Sequence, residues 1–129
     1  MSHRVINEHR RLEDLFETLG AAFADDQPAS GLWEPFEHLS EELQTHFERE
    51  DRLYFPAIWT LCPELKAELE EASSRHSWFC DQLRIIGDHL GHDDIEGATM
   101  VFRQLEKSFG AHEQVEEQIL TRLDAALEA

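Results

Sequence analysis

Apolar residues recur along this chain in alternating steps of three and four, in four long runs separated by short polar stretches. The first run takes in Val5, Leu12, Phe16, Leu19 and Phe23, and the second Phe36, Leu39, Leu43, Leu53 and Ala57. The third continues with Leu65, Leu69, Ala72, Phe79, Leu83, Ile86 and Leu90, and the fourth with Ile95, Ala98, Phe102, Leu105, Phe109, Ile119, Leu123 and Ala126. That period lays one apolar stripe along each of four helices. Helices this long joined by short connections predict an all-α fold, an up-down-up-down antiparallel four-helix bundle, with residues 1–129 forming a single domain.

Punctuation along the chain sets the expected boundaries. Ser2 is placed to cap a first helix ending near residue 24, and Asp25–Gly31 reads as a loop. A second helix then runs from about Leu32 to Trp59, with Pro35 in its first turn and Pro56 expected to bend or end it. Cys62-Pro63 marks the next loop. A third helix starts at Pro63 or Glu64 and reaches about Leu90, with Ser73-Ser74 able to loosen its middle. Gly91–Asp94 makes a turn, and Asp94 caps a fourth helix lasting to about Leu127.

Six ionisable residues interrupt the stripes: His9, His46, Glu50, His76, His112 and Glu116. An imidazole or carboxylate on a core face loses its hydration, so six of them require compensating partners. A hydrogen-bonded polar layer without metal is the plain alternative; bound metal is the reading the pattern favours. Residues four apart share a helix face, so each His-x-x-x-Glu, at His46/Glu50 and at His112/Glu116, can address one centre. The pattern also repeats. His112 and Glu116 lie 66 positions after His46 and Glu50, and His76 lies 67 after His9. Two related hairpins, each giving one lone His and one His-x-x-x-Glu, would build a quasi-symmetric pair of metal positions.

Composition narrows the partners. With 28 acidic against 11 basic residues and a net charge of -17, neither nucleic acid nor an anionic membrane is expected as a partner. No membrane-spanning run or signal pattern is evident, which makes a cytoplasmic location the default expectation. Two cysteines, Cys62 and Cys80, are too few for a disulfide framework and read as free thiols.

The order His, His-x-x-x-Glu, His, His-x-x-x-Glu resembles the haemerythrin-like family, also called the HHE cation-binding domain. The resemblance covers nearly the whole chain, and its most specific stretch runs from His46 through Glu50 and Asp51 to Tyr54-Phe55-Pro56; the second copy, beginning at His112, lacks the closing Pro. It implies two iron ions held by His9, His46, His76 and His112, with Glu50, Glu116 and an oxo or hydroxo group bridging them. Imidazole with carboxylate also accepts zinc or manganese, so iron comes from the resemblance alone. The chain departs from the oxygen carriers of that family, which have His-x-x-x-His in the third helix, because here Cys80 follows His76 by four residues.

Four neighbours are possible ligands or supporting groups. Cys80 could bind metal, act as a redox thiol or simply pack, and packing is the expectation because a free cysteine commonly behaves as a small hydrophobe. Tyr54, one turn after Glu50, could reach the site from beside the stripe, although a core-edge tyrosine with a polar tip is the expectation. Glu13, one turn after His9, could accept that imidazole's second N–H or equally be a solvated glutamate. Glu117 rivals Glu116, since the oxygen carriers use an acid five residues after the last His. His3, His38, His89 and His92 lie off the stripes and read as solvated, Asp51 as a supporting or surface group, and Trp33, Trp59 and Trp78 as covers for bundle ends or flanks.

The functional expectation is a non-haem di-iron protein that binds O2 or NO, or reacts with peroxide, as carrier, sensor or scavenger. It is expected to be a metal- and ligand-binding protein more than a dedicated enzyme. An iron-handling protein that stores, donates or senses iron, and a structural helical module with a stabilising metal, are the alternatives.

Overall fold

A computed structural model describes residues 2–129, and everything described is helical or turn. Helix α1 spans Ser2–Ala24 and α2 spans Ala29–Arg49. A π-helical turn at Glu50–Tyr54 joins α2 to α3, Phe55–Leu61. A 3-10 turn at Pro63–Leu65 leads into α4, Lys66–Ser74, and after Arg75 the chain continues as α5, His76–Gly91. The last helix, α6, spans Ile95–Glu128. These pieces form four columns in which α1 packs on α2 and α6, and α5 packs on the same two. The expected four-helix bundle is what the chain adopts.

Most boundaries follow local chemistry. Asp94 caps α6 as expected, accepting the Gly97 N–H at 2.9 Å. A Cβ at Gly97 would fall 2.4 Å from Asp94 Oδ2 and 2.7 Å from His89 Nδ1, so only glycine leaves room for this cap. The third column breaks at Arg75, directly after Ser73-Ser74.

Other boundaries correct the sequence reading. Ser2 lies inside α1 and its hydroxyl donates to Asp124 at 3.0 Å across the bundle, so it is no cap. Ser30 and Gly31 are helical, because Pro28, extended at φ -68° and ψ 164°, begins α2 and its carbonyl accepts the Gly31 N–H at 2.8 Å. Pro35 therefore falls beyond the first turn, inside α2.

Pro56 neither ends its helix nor leaves the stripe in phase. The π turn ahead of it widens the ladder by one residue, with the Phe55 N–H bonding to the Glu50 carbonyl, and the helix goes on to Leu61. One extra residue rotates all that follows. Leu53 and Ala57, expected in the core, give way to Tyr54 and Ile58, which are buried, while Leu53 is 61% exposed.

The core divides into two apolar clusters. One fills the loop end of α1 and α2 with α5 and the first half of α6, including Phe16, Leu39, Phe47, Phe79, Ile86, Phe102 and Phe109. The other joins Val5, Tyr54, Phe55, Ile58, Leu65, Leu69, Ile119 and Leu123 at the opposite end. Between them lies a layer of buried polar side chains.

Candidate metal centre

All six stripe-breaking residues are buried in that layer. Each His-x-x-x-Glu sits on one helical face, which brings His46 Nε2 to 3.3 Å from Glu50 Oε2, and His112 Nε2 to 2.6 Å from Glu116 Oε2. The lone histidines complete the arrangement. His76 Nε2 lies 3.1 Å from the other oxygen of Glu50, and His9 Nε2 lies 3.1 Å from the other oxygen of Glu116. Every imidazole points its Nε2 inward, and each carboxylate divides its two oxygens between histidines of the two hairpins.

Two overlapping groups result, His9, His46, Glu50 and Glu116 on one side and Glu50, His76, His112 and Glu116 on the other, with ligand atoms within 4.8 Å of one another in each. Several of these atoms lack any hydrogen-bond partner: His46 Nε2, both oxygens of Glu50, His76 Nε2, His112 Nε2 and Glu116 Oε2. Buried polar atoms are seldom left so, and here the orphans converge on one place. Lone pairs of imidazole and carboxylate that converge in this way are the donor set a divalent transition metal takes. The family model of the hemerythrin HHE cation-binding domain matches residues 1–123.

This chain belongs to the hemerythrin HHE family. No match was found among curated proteins or among solved structures. Family membership makes it a metal-cation-binding domain, and the two His/Glu groups are where such cations could sit.

Around this hemerythrin-type layer, the outer ring nitrogens are held by carboxylates. His46 Nδ1 donates to Glu8 Oε1 at 2.8 Å, and His9 Nδ1 donates to Glu117 Oε2 at 2.8 Å. Asp51 Oδ1 stands 3.0 Å from His76 Nδ1 without an aligned hydrogen bond, and itself accepts from the Ser73 hydroxyl at 2.5 Å. An acceptor at Nδ1 fixes the tautomer and ring orientation and leaves the Nε2 lone pair for the interior.

The candidate supporting residues divide. Glu117 takes the role proposed for Glu13. The Glu13 carboxylate pairs instead with Arg10 at the solvent edge, while α6 presents Glu117 directly to the ring of His9. Tyr54 donates its hydroxyl to Glu8 and so supports His46 through a carboxylate, not by reaching the centre. Burial and the Glu8 contact push the Tyr54 phenol up to about 12. Cys80 is half-buried against the larger apolar cluster and belongs to neither ligand group; burial, with Asp81 and Asp51 nearby, raises its thiol pKa.

Two residues escape the sequence pattern. Glu8 lies between stripe positions, and its proximity to His46 depends on how α1 packs against α2. Glu113, next to His112, is buried with Oε2 unpartnered and 3.7 Å from His9 Nδ1. Burial and the nearby Glu13 and Glu117 push its carboxyl up to about 8, against the pull of His9.

Electrostatics between the two central acids are unequal. Burial raises Glu50 well above the usual carboxylate range, and repulsion from Glu116 adds to it. Burial also pushes Glu116 up, but the close approach of Glu50, His112, His76 and His9 outweighs it and holds Glu116 well below that range. Without a cation the layer therefore favours the protonated form of Glu50 over that of Glu116, because two buried carboxylates facing each other resist ionising together.

Aromatic rings enclose the layer. Phe47 stacks on His76 with centroids 4.1 Å apart, Phe79 lies 5.1 Å from the His112 ring, and Phe109 meets His9 edge-on at 6.3 Å. No helix among the described residues is long and apolar enough to cross a membrane.

Proposed function

We propose that this chain is a non-haem di-iron protein that binds a small diatomic molecule, O2 or NO, or reacts with peroxide. The observation carrying this reading is that Glu50 and Glu116 each turn one oxygen toward each of the two His-containing groups. Two irons would be held by His9 and His46 on one side and by His76 and His112 on the other, with both glutamates and an oxo or hydroxo group shared. Two adjacent irons supply open coordination positions and a pair of electrons, which suits them to small oxidising ligands.

The protein's own part is orientation and exclusion. Glu8 and Glu117 keep the Nδ1 protons of His46 and His9 turned outward, so the Nε2 atoms remain free for metal. Burial and Glu116 favour the neutral form of Glu50, and a bound cation would favour its ionised form, so metal uptake is coupled to proton release. Phe47, Phe79 and Phe109 give the layer apolar walls, favouring a neutral diatomic ligand over hydrated ions.

Metal analysis combined with an optical spectrum, recorded anaerobically and again after air or NO, tests the proposal. About two irons per chain and a ligand-dependent absorption band are expected. Failure of a reconstituted, folded chain to take up iron sinks the reading. Iron that is bound but readily lost to an acceptor, with a spectrum indifferent to O2 and NO, would instead make this an iron-handling protein.

A further inference from the structure

The repeat extends beyond the six central side chains, and it breaks at one place. Asp51 follows Glu50 as Glu117 follows Glu116, and each stands at the outer nitrogen of the lone histidine of the opposite hairpin, at 3.0 Å from His76 and 2.8 Å from His9. The residue before the lone histidine is Glu8 in the first half, and its counterpart 67 positions later is Arg75. Glu8 accepts from His46 Nδ1 at 2.8 Å and is braced by the Tyr54 hydroxyl. Arg75 turns to Glu71 at 3.1 Å, and among the described residues His112 has no carboxylate within ion-pair distance except Glu116.

His112 also borders open space. Together with Phe79, Arg75, Trp78, Ser108 and Val115 it lines a groove of about 740 Å³ between α4, α5 and α6. Trp78 and Val115 at its rim are 39% and 51% exposed. Both rings border open space, His46 lining a smaller pocket of about 250 Å³ with Glu8, Arg11, Glu42 and Arg49, but only the ring of His46 is tied to a carboxylate on its outer side.

We infer that the two metal positions are unequal: the His9/His46 position is the tighter one, and the His76/His112 position is the exchangeable one, because Glu8 has no counterpart at Arg75. This inference rests on the two-metal reading above. A carboxylate accepting the outer N–H of a metal-bound histidine fixes the ring and raises its basicity, and losing such a partner costs roughly 10–100-fold in metal affinity. Both histidines of the first position carry an aligned carboxylate acceptor. Neither histidine of the second does, since Asp51 stands off the His76 N–H direction.

Anaerobic calorimetric titration of the metal-free chain with ferrous iron decides the matter. Wild type is expected to bind in two steps separated tenfold or more. Glu8→Ala should weaken the tighter step by roughly 10–100-fold and merge the two, and Arg75→Glu should strengthen the weaker step and merge them from the other side. Circular dichroism checks folding, and should Glu8→Ala unfold, Glu8→Gln keeps an acceptor oxygen without the charge and gives a smaller shift in the same direction. Two equal steps in wild type, or Glu8 variants that spare the tighter step, overturn the inference while leaving the two-metal reading in place. Absence of iron uptake overturns the two-metal reading itself.

Discussion

Glu50→Gln separates a shared carboxylate from a merely buried one. In the metal-free chain Glu50 is pushed well above the usual carboxylate range by burial and by Glu116, which favours its neutral form. Glutamine is also neutral, nearly the same size and able to donate toward Glu116. Metal-free stability should therefore change by no more than about 1 kcal/mol, the net worth of one ordinary hydrogen bond. The metal-loaded protein should respond differently. A cation that binds only the folded chain, present at 100 times the Kd of the weaker position, stabilises by at least about 2.7 kcal/mol per position, so two filled positions give about 5 kcal/mol or somewhat more. At roughly 3–5 °C per kcal/mol for a domain of this size, wild-type Tm should rise by about 15–25 °C.

The amide that replaces the carboxylate in Glu50→Gln brings no negative charge, and Glu50 faces both His46 and His76. If each position weakens about 100-fold, the same metal concentration equals the Kd of the weaker position, and each contributes only about 0.4 kcal/mol or somewhat more. The Tm rise in Glu50→Gln should then shrink to about 2–4 °C. Differential scanning calorimetry with and without iron measures both numbers. A variant that keeps the wild-type rise refutes the role of Glu50 altogether, and one that keeps half of it shows that Glu50 serves one position and not both.

Three further outcomes follow from the same geometry. Glu113 is raised to about 8, above its ordinary value of 4.5, so between these values the folded chain holds a proton that the unfolded chain has lost. Metal-free stability should accordingly fall by up to a few kcal/mol as pH rises from about 4.5 to 8, and Glu113→Gln should flatten that slope in melts across the range. Leu53→Glu should leave stability within about 0.5 kcal/mol, since Leu53 is exposed. Ile58→Ala should cost about 2–5 kcal/mol in urea unfolding, and the opposite ranking would mean that the π turn is absent. Cys80→Ala should retain its full metal content by elemental analysis and lose no more than about 1 kcal/mol, because the thiol lies outside both ligand groups. Loss of one metal would make Cys80 a ligand.

Much of this protein is written in its period. Alternating steps of three and four fix which face of each helix is apolar, and a polar residue on that face stands out whatever the packing. For that reason His9, His46, Glu50, His76, His112 and Glu116 are legible from the order of residues alone, and all six are buried together. Caps such as Asp94 are equally local, since one side chain and one N–H three residues away decide them.

What the period could not carry was anything set by a neighbouring helix or by a change of period. The π turn at Glu50–Tyr54 inserts one residue into the ladder, exchanging Leu53 for Tyr54 and Ala57 for Ile58, and a stripe extrapolated at fixed pitch misses it. Which acid reaches which ring depends on the azimuth and separation of packed helices. Glu13 had the right spacing within α1 to hold His9, yet Glu117 of α6 holds it, and Glu8 holds His46. Spacing along one helix fixes a shared face, but only tertiary packing brings a carboxylate of one helix within 2.8 Å of an imidazole on another.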